Sequence, residues 1–324
     1  MNDHIFTKSL KKILSQNPAL CITRFMKSLQ KIILTVLLTI IQIPVYSMNF
    51  YGEIQPEGLP LFWWGEDPEI NFGDYLSLKI VERMVDGPVR YYRKKPKWKE
   101  QKLLAIGSVF YFANNGDVIW GSGINGKTLS RSDYQFATLD VRAVRGPRTR
   151  EFLWENFRIE APAIYGDPAL LFPYLFPEFK RKAKPKYDYI VVVHYKETHL
   201  FPRGENSNIV YSTDPWEEVT EKIVDSKLVI SSSLHGVIVA ESYGIPARYL
   251  RLGDKNQHIF KYQDYYEGTG RPFFRYATTV EEALQMGGEP PFVCDLKALY
   301  DSFPFDFWPS AIKKPLKFTP QGIW

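Results

Sequence analysis

Two hydrophobic patterns alternate along most of this chain. Short apolar runs that end in glycine or in polar residues lie at residues 103–106, 118–120, 141–144, 189–193 and 228–230. Between them, apolar residues recur at the spacing of one helix face after Asn71, after Pro147 and from Trp216 onward. Short apolar strands that alternate with helices predict an α/β fold with parallel, doubly wound sheets.

Several residues mark the ends of the predicted helices. Asp74 is predicted to cap the first helix, and Pro147 suits the first position of a later one. Thr279 and Glu282 have the spacing of a capping box, and Asp295 is predicted to cap a last short helix.

Residues 176–187 contain two prolines and five basic side chains, which predicts a linker between domains. We therefore expect an N-terminal domain at residues 48–180 and a C-terminal domain at residues 181–324. The aromatic tail at residues 303–308 is expected to pack back onto a domain. A chain of 324 residues suits two domains of about 150 residues each.

Residues 1–47 predict a hydrophobic leader outside the folded body. A basic region with Asp3 as its one acidic residue precedes an apolar run at residues 32–46. That run is shorter than the ~20 residues that cross a bilayer comfortably. Val45-Tyr46-Ser47 resembles a cleavage site, which favours a signal peptide, and an uncleaved membrane anchor is the alternative. A start assigned too early, with Met26 as the true one, is a further hypothesis.

Composition narrows the chemistry only slightly. The net charge of +5 is mild, and no nucleic-acid fold signature accompanies the basic stretch at residues 90–102, so no nucleic-acid partner is predicted. Cys21 lies in the leader and Cys294 in the body, which leaves the body without a disulfide or a cysteine zinc site. We expect no metal site. The 15% aromatic content suits a sugar-facing surface, although a well-filled core is favoured.

The most informative segment is residues 231–236, Ser-Ser-Ser-Leu-His-Gly, where a strand gives way to a helix. Unpaired backbone N–H groups at such a place point toward a ligand, and His235 can act there as acid, base or phosphate partner. A serine cap beside a hydrogen-bonded histidine is an equal alternative by position alone. His194, at the end of a strand, is a secondary candidate, whereas Asp167 before Pro168 is favoured as a turn former.

Taken in order, six segments resemble the polysaccharide pyruvyltransferase family over residues 71–250. The segments are Asn71-Phe72-Gly73-Asp74, Gly121-Ser122-Gly123, Val144-Arg145-Gly146-Pro147, Gly166-Asp167-Pro168-Ala169, Ser232-Ser233-Leu234-His235-Gly236 and Gly244-Ile245-Pro246. The resemblance implies two Rossmann-like domains facing a cleft, as in GT-B glycosyltransferases. It also implies transfer of a pyruvyl group from phosphoenolpyruvate to a sugar, which forms a ketal. Phosphoenolpyruvate is the co-substrate, and no cofactor is expected. The sugar would belong to an exopolysaccharide, a cell-wall glycan or a lipid-linked precursor.

The resemblance also assigns roles to residues. It implies that His235 is catalytic, and we expect Asp74 to be the base or merely a helix cap. It implies that Arg145 and Leu234 bind the donor, and we also expect the following residues in the donor site: Arg148, Gly121, Ser122, Gly123, Ser232, Ser233 and Gly236. Further candidates are Asn71, Gly73, Asp167 and His194. Many members carry Arg where this chain has Ser233, and the missing charge is expected from Arg148, Arg248 or Arg251.

A cytoplasmic donor would favour membrane association through an anchor. The alternatives are export through the secretory pathway after signal cleavage, and a cytoplasmic protein if the start is assigned too early. A nucleotide-sugar glycosyltransferase on the same plan and a non-catalytic sugar-binding protein are the alternative functions.

Overall fold

The computed structural model describes residues 47–48, 54–55, 57–65, 71–92, 100–202, 204, 208–252 and 259–318. All but the last residue of the predicted leader, and most of the basic stretch between residues 90 and 102, lie outside the described residues. The chain divides into a unit of residues 1–56 and a unit of residues 57–324. In the first unit, β1 (Ser47–Met48) pairs antiparallel with β2 (Ile54–Gln55). Across the described residues, we find no helix whose length and apolar character would let it cross a membrane.

The second unit contains two parallel sheets. The first has the order β3-β4-β5-β6, formed by β3 (Leu61–Phe62), β4 (Leu103–Leu104), β5 (Val118–Trp120) and β6 (Asp140–Ala143). Helix α1 (Phe72–Val85) follows β3, and α2 (Pro147–Phe157) follows β6. Beyond β6, Val144 makes a parallel bridge to Tyr165.

The second sheet has the order β11-β10-β9-β7-β8, with every pair parallel. Its strands are β7 (Ile190–Val193), β8 (Ile209–Tyr211), β9 (Val229–Ser231), β10 (Ala247–Leu250) and β11 (Tyr276–Ala277). The predicted α/β fold with parallel sheets is therefore confirmed. The chain runs from β7 outward to β8 and then returns to β9 on the other side of β7. The carboxyl ends of β7 and β9 thus flank a switch point of the kind where such sheets bind ligands.

The described residues of this unit form six further helices: α3 (Phe172–Leu175), α4 (Trp216–Val224), α5 (Leu234–Ser242), α6 (Phe260–Gly268), α7 (Val280–Met286) and α8 (Leu296–Asp301). All nine residues of α5 are buried, which explains why its sequence has no polar face. It packs on β9, on β10 and on the 3₁₀-helix Pro168–Leu171, and so lies at the centre of the unit.

The predicted helix caps have mixed outcomes. Asn71, not Asp74, is the N-cap of α1, because the helix begins at Phe72 and Asp74 therefore lies in its first turn. Thr279 accepts a hydrogen bond from the backbone N–H of Glu282, and Asp295 accepts one from Ala298, as predicted. Helix α6 and strands β3, β8 and β11 are absent from the sequence prediction.

Segments from both sides of residue 180 share one core in this unit. The backbone N–H of Phe72 donates to the carbonyl oxygen of Ser212 at 2.6 Å, which joins the start of α1 to the end of β8. Trp120 donates from Nε1 to the carbonyl oxygen of Leu299 at 2.9 Å, and its ring contacts Phe303 near the aromatic tail. The division of the body into two domains at residues 180 and 181 stays a prediction.

Candidate functional site

A cavity of about 740 Å³ opens at the carboxyl ends of strands from both sheets. The first sheet contributes Trp64 after β3, Gly107 and Ser108 beyond β4, and Arg145 beyond β6. The second contributes residues 194–196 after β7 and residues 232–235 after β9, the two strands at the switch point. Both sheets therefore present the edge that binds ligands in parallel α/β proteins to one space.

The turn after β9 is held by serine hydroxyls. Ser231 Oγ accepts from the Ser233 N–H at 3.0 Å, and Ser232 Oγ accepts from the His194 N–H at 2.9 Å. The second bond joins the ends of β7 and β9. Ser233 is the N-cap of α5 but makes no side-chain cap, so the first N–H groups of α5 keep their capacity for an anion.

His235 stands in the first turn of α5 and faces Asp167. Its Nε2 lies 3.4 Å from Asp167 Oδ2, and both atoms are buried without a hydrogen-bond partner. Asp167 Oδ1 accepts from the Ala169 N–H at 3.0 Å and so caps the 3₁₀-helix. Asp167 is thus a turn former, as expected, and also places a carboxylate oxygen beside the histidine ring. His235 itself lines the cavity.

The ring of His235 rests against the first turn of α1. A Cβ atom added at Gly73 would lie 1.9 Å from His235 Nδ1 and 2.4 Å from its Cγ, so only glycine leaves room for the ring. The next residue, Asp74, lines the cavity and accepts from Asn71 Nδ2 at 2.6 Å. Burial raises the pKa of Asp74, against the opposing effects of the Asn71 hydrogen bond and of the charges on His235 and Lys261.

Lysines make this cavity cationic. Lys261 projects from α6, and burial, followed by the charge of Arg145, lowers its pKa to about 8. Burial also lowers the pKa of His194 to about 3, with further contributions from Lys261, Lys196 and Lys127. His194 is therefore neutral, and three ammonium groups lie near it. No hydrogen bond or ion pair joins the ammonium of Lys261 to another side chain among the described residues, which leaves it available to an anion.

Arg145 lines the cavity with its charge already balanced. Its guanidinium lies 3.0 Å from Asp264 Oδ2 on α6 and also donates to Ser108 Oγ at 2.9 Å and to the carbonyl oxygen of Ile124 at 2.6 Å. Both charged side chains are almost completely buried. A Cβ at Gly123 would lie 2.4 Å from Arg145 Cζ, so this glycine makes room for the guanidinium.

The structure does not bring every predicted residue to the cavity. Gly121, Ser122 and Gly123 do not line the cavity. Ser122 Oγ instead donates to the carbonyl oxygen of Gly107, a lining residue, at 2.8 Å. Gly236 packs against Ser231, where a Cβ would lie 2.3 Å from Oγ.

The three arginines expected to replace a charge at Ser233 do not line the cavity either. Arg148 pairs with Glu267 on α6 through both Nε and Nη2. Arg248 is buried against the backbone of residues 287–288, and Arg251 donates to Tyr276 Oη at 3.0 Å. Besides Arg145, the basic side chains that line the cavity are Lys127, Lys196 and Lys261.

Among the described residues, no group of three or more His, Cys, Asp or Glu side chains is arranged to hold a metal ion.

The same stretch of sequence matches a known family. Residues 71–254, more than half of the 324-residue chain, match the sequence profile of the family described as polysaccharide pyruvyl transferase. The chain belongs to this family. The resemblance predicted from the six segments is thereby confirmed, and the matched residues include His235, Asp167, Gly73 and Asp74.

Individual relatives of this polysaccharide pyruvyl transferase family member are distant. The succinoglycan biosynthesis protein ExoV of Rhizobium meliloti is 25% identical over 245 residues, which cover 70% of this chain and 71% of that protein. An uncharacterized protein of Acanthamoeba polyphaga mimivirus is 26% identical over 230 residues, covering 67% of this chain and 78% of the viral protein. A crystal structure of a functionally uncharacterized protein from Klebsiella pneumoniae aligns with a TM-score of 0.39 at 14% identity, covering 68% of this chain and 93% of that one.

Lys261 is the cavity residue that the sequence prediction missed most clearly, and it lies beyond the segment that matches the family profile. It was missed because α6 was missed. The buried positions of α6 include Tyr262, Tyr265 and Tyr266, which recur at helical spacing, together with Asp264. If these tyrosines are counted as apolar residues, their spacing predicts helix α6.

Proposed function

We propose that this member of the polysaccharide pyruvyl transferase family transfers a pyruvyl group from phosphoenolpyruvate to two hydroxyls of a sugar and forms a ketal. The observation that carries the proposal is His235, held between Asp167 and Gly73, at the edge of a cavity with several cations. The family assignment and the distant similarity to a succinoglycan biosynthesis protein support a polysaccharide, or its lipid-linked precursor, as the acceptor.

The cavity suits the two acidic groups of phosphoenolpyruvate. Phosphate and carboxylate bind well to fixed cations and to the free N–H groups of a helix start. Lys261, Lys127 and Lys196 supply the cations, and the first turn of α5 supplies the N–H groups. Arg145 also lines the cavity, and its guanidinium can contact the donor although its charge is already balanced by Asp264. No cofactor is required.

The proposed reaction proceeds in two additions. One sugar hydroxyl attacks C2 of phosphoenolpyruvate, and the methylene carbon takes up a proton and becomes the methyl group. The second hydroxyl then attacks C2 and displaces phosphate, so that its proton leaves with the phosphate. His235 takes the proton from the attacking hydroxyl, and the Asp167 carboxylate, 3.4 Å from Nε2, stabilises the imidazolium that forms. Asp74, a cavity-lining carboxyl whose pKa is raised by burial, delivers one to the methylene carbon.

A direct test is calorimetric titration of the full chain with phosphoenolpyruvate and, separately, with UDP and UDP-sugars. We expect saturable binding of phosphoenolpyruvate and phosphate release when a glycan acceptor is added. His235→Gln should reduce turnover by about 100-fold or more, the scale of lost acid–base catalysis. His199→Gln is the matched control, because His199 is exposed and lies outside the cavity.

Two outcomes would contradict the proposal. Binding of UDP alone would indicate glycosyl transfer, and near-normal turnover of His235→Gln would remove the histidine from the mechanism. Membrane association through the leader is a separate proposal, which fractionation of cells that produce the full chain would test.

A further inference from the structure

Part of the cavity wall is aromatic and has no role in the proposed chemistry. Trp64, just after β3, is 49% exposed, and Tyr111, in the 3₁₀-helix Phe110–Phe112, is 50% exposed. Both line the cavity, as does Phe112 between them. The ring centroid of Phe112 lies 5.1 Å from that of Trp64 and 5.4 Å from that of Tyr111. We call these three residues the aromatic wall.

The exposure of the aromatic wall is unusual for this protein. Among the described residues, four aromatic side chains are strongly exposed, namely Trp64, Tyr111, Trp154 and Phe273, and the first two line the cavity. The cavity's lysines do not cover these rings, since no cation–π contact within the described residues involves them. Trp64 and Tyr111 therefore keep about half of their surface accessible within the described part of the chain.

We propose that the aromatic wall is the subsite for the acceptor sugar, stacked by its C–H face on Trp64 and Tyr111. This inference rests on the proposed function. A pyranose ring has an apolar C–H face and a rim of hydroxyls, which matches an aromatic surface with polar groups beside it. Asn125, also in the cavity, uses Oδ1 to accept from Lys127 N and Thr128 N, which leaves its amide N–H groups for sugar hydroxyls.

The donor does not explain the aromatic wall. Phosphoenolpyruvate is small and doubly acidic, and its chemistry calls for the lysines and for the start of α5. A volume of about 740 Å³ lies within the range of sites for much larger ligands, roughly 300–1,000 Å³. The aromatic wall and His235 line the same cavity, so a sugar bound on the wall shares that space with the proposed reacting groups.

The first test compares Trp64→Ala and Tyr111→Ala with the wild-type chain in the transfer reaction. Loss of a stacking ring should raise the KM for the glycan acceptor about tenfold, while the KM for phosphoenolpyruvate stays within about twofold. Trp154→Ala is the matched control, because Trp154 is equally exposed, at 51%, and lies on α2 outside the cavity. An unchanged acceptor KM in both variants would overturn the inference, as would an equal rise in the KM for phosphoenolpyruvate.

The second test separates this inference from the proposed function. Tryptophan fluorescence of the full chain is titrated, without phosphoenolpyruvate, with oligosaccharides that end in glucose, galactose or mannose. A saturable change that Trp64→Phe reduces and Trp154→Phe retains supports the subsite, even if no pyruvyl transfer is ever detected. If no sugar binds the wild-type chain, or if Trp64→Ala binds equally well, the subsite is wrong even where transfer succeeds.

Discussion

Gly73→Ala adds one methyl group beneath His235, the proposed catalytic histidine. The new Cβ would lie 1.9 Å from His235 Nδ1, whereas unbonded heavy atoms rest at about 3.5–4.0 Å. The ring must therefore move by roughly 1.5 Å or more. Helix α5 is buried along its whole length and resists displacement, so we expect the ring itself to turn away and to change its distance from Asp167.

The expected effect on catalysis is large and that on folding is small. A misplacement of about 1 Å at a reacting group costs on the order of 100-fold in rate. Crowding of the core costs about 1–3 kcal/mol, and the better helix propensity of alanine offsets up to about 1 kcal/mol. The backbone at Gly73 does not need a positive φ, so alanine is tolerated there. We therefore expect a folded variant with kcat lowered by about 100-fold.

The assay is phosphate release from phosphoenolpyruvate with a glycan acceptor, measured beside thermal unfolding of each variant. Gly87→Ala is the control, because nothing lies within 4 Å of a Cβ at that position. A folded Gly73→Ala enzyme with kcat within about twofold of wild type would refute the reasoning, since it would show that the position of His235 is not critical.

Three further predictions follow from the charges of the site. Below pH of about 8 Lys261 is charged and above it neutral, so kcat/KM for phosphoenolpyruvate should fall as pH rises past its pKa of about 8. Lys261→Met should remove that fall, and an unchanged pH profile in this variant would contradict the assignment. Arg145→Met should lower the free energy of unfolding by about 3–5 kcal/mol, because it leaves Asp264 buried and unpaired; a loss below about 1 kcal/mol in urea unfolding would contradict this. Asp167→Asn keeps a cap oxygen but removes the charge facing His235, so kcat should fall about 100-fold at unchanged thermal stability, and a normal kcat would exclude the pair.

Strands, helix caps and one strand-to-helix turn could be predicted from the sequence, because they depend on residues that are near one another along the chain. Apolar runs such as residues 190–193 predict buried parallel strands, because both faces of such strands are covered. The caps at Thr279 and Asp295 could be predicted because a cap joins residues three positions apart. For the same reason, the strand-to-helix turn at Ser233 and His235 was located correctly. Asn and Asp are both favoured N-cap residues, so the sequence does not distinguish Asn71 from Asp74, three positions later.

The contacts between residues far apart in the sequence could not be predicted and depend on how the helices and sheets pack. This packing set Asp167 opposite His235 and placed Gly73 beneath the same ring. It also balanced Arg145 with Asp264 from α6, a helix that also brings Lys261 to the cavity. A local pattern specifies a residue's own backbone and the face that it buries. It carries no information about which carboxylate approaches which cation, because the packing of whole helices and sheets determines that distance.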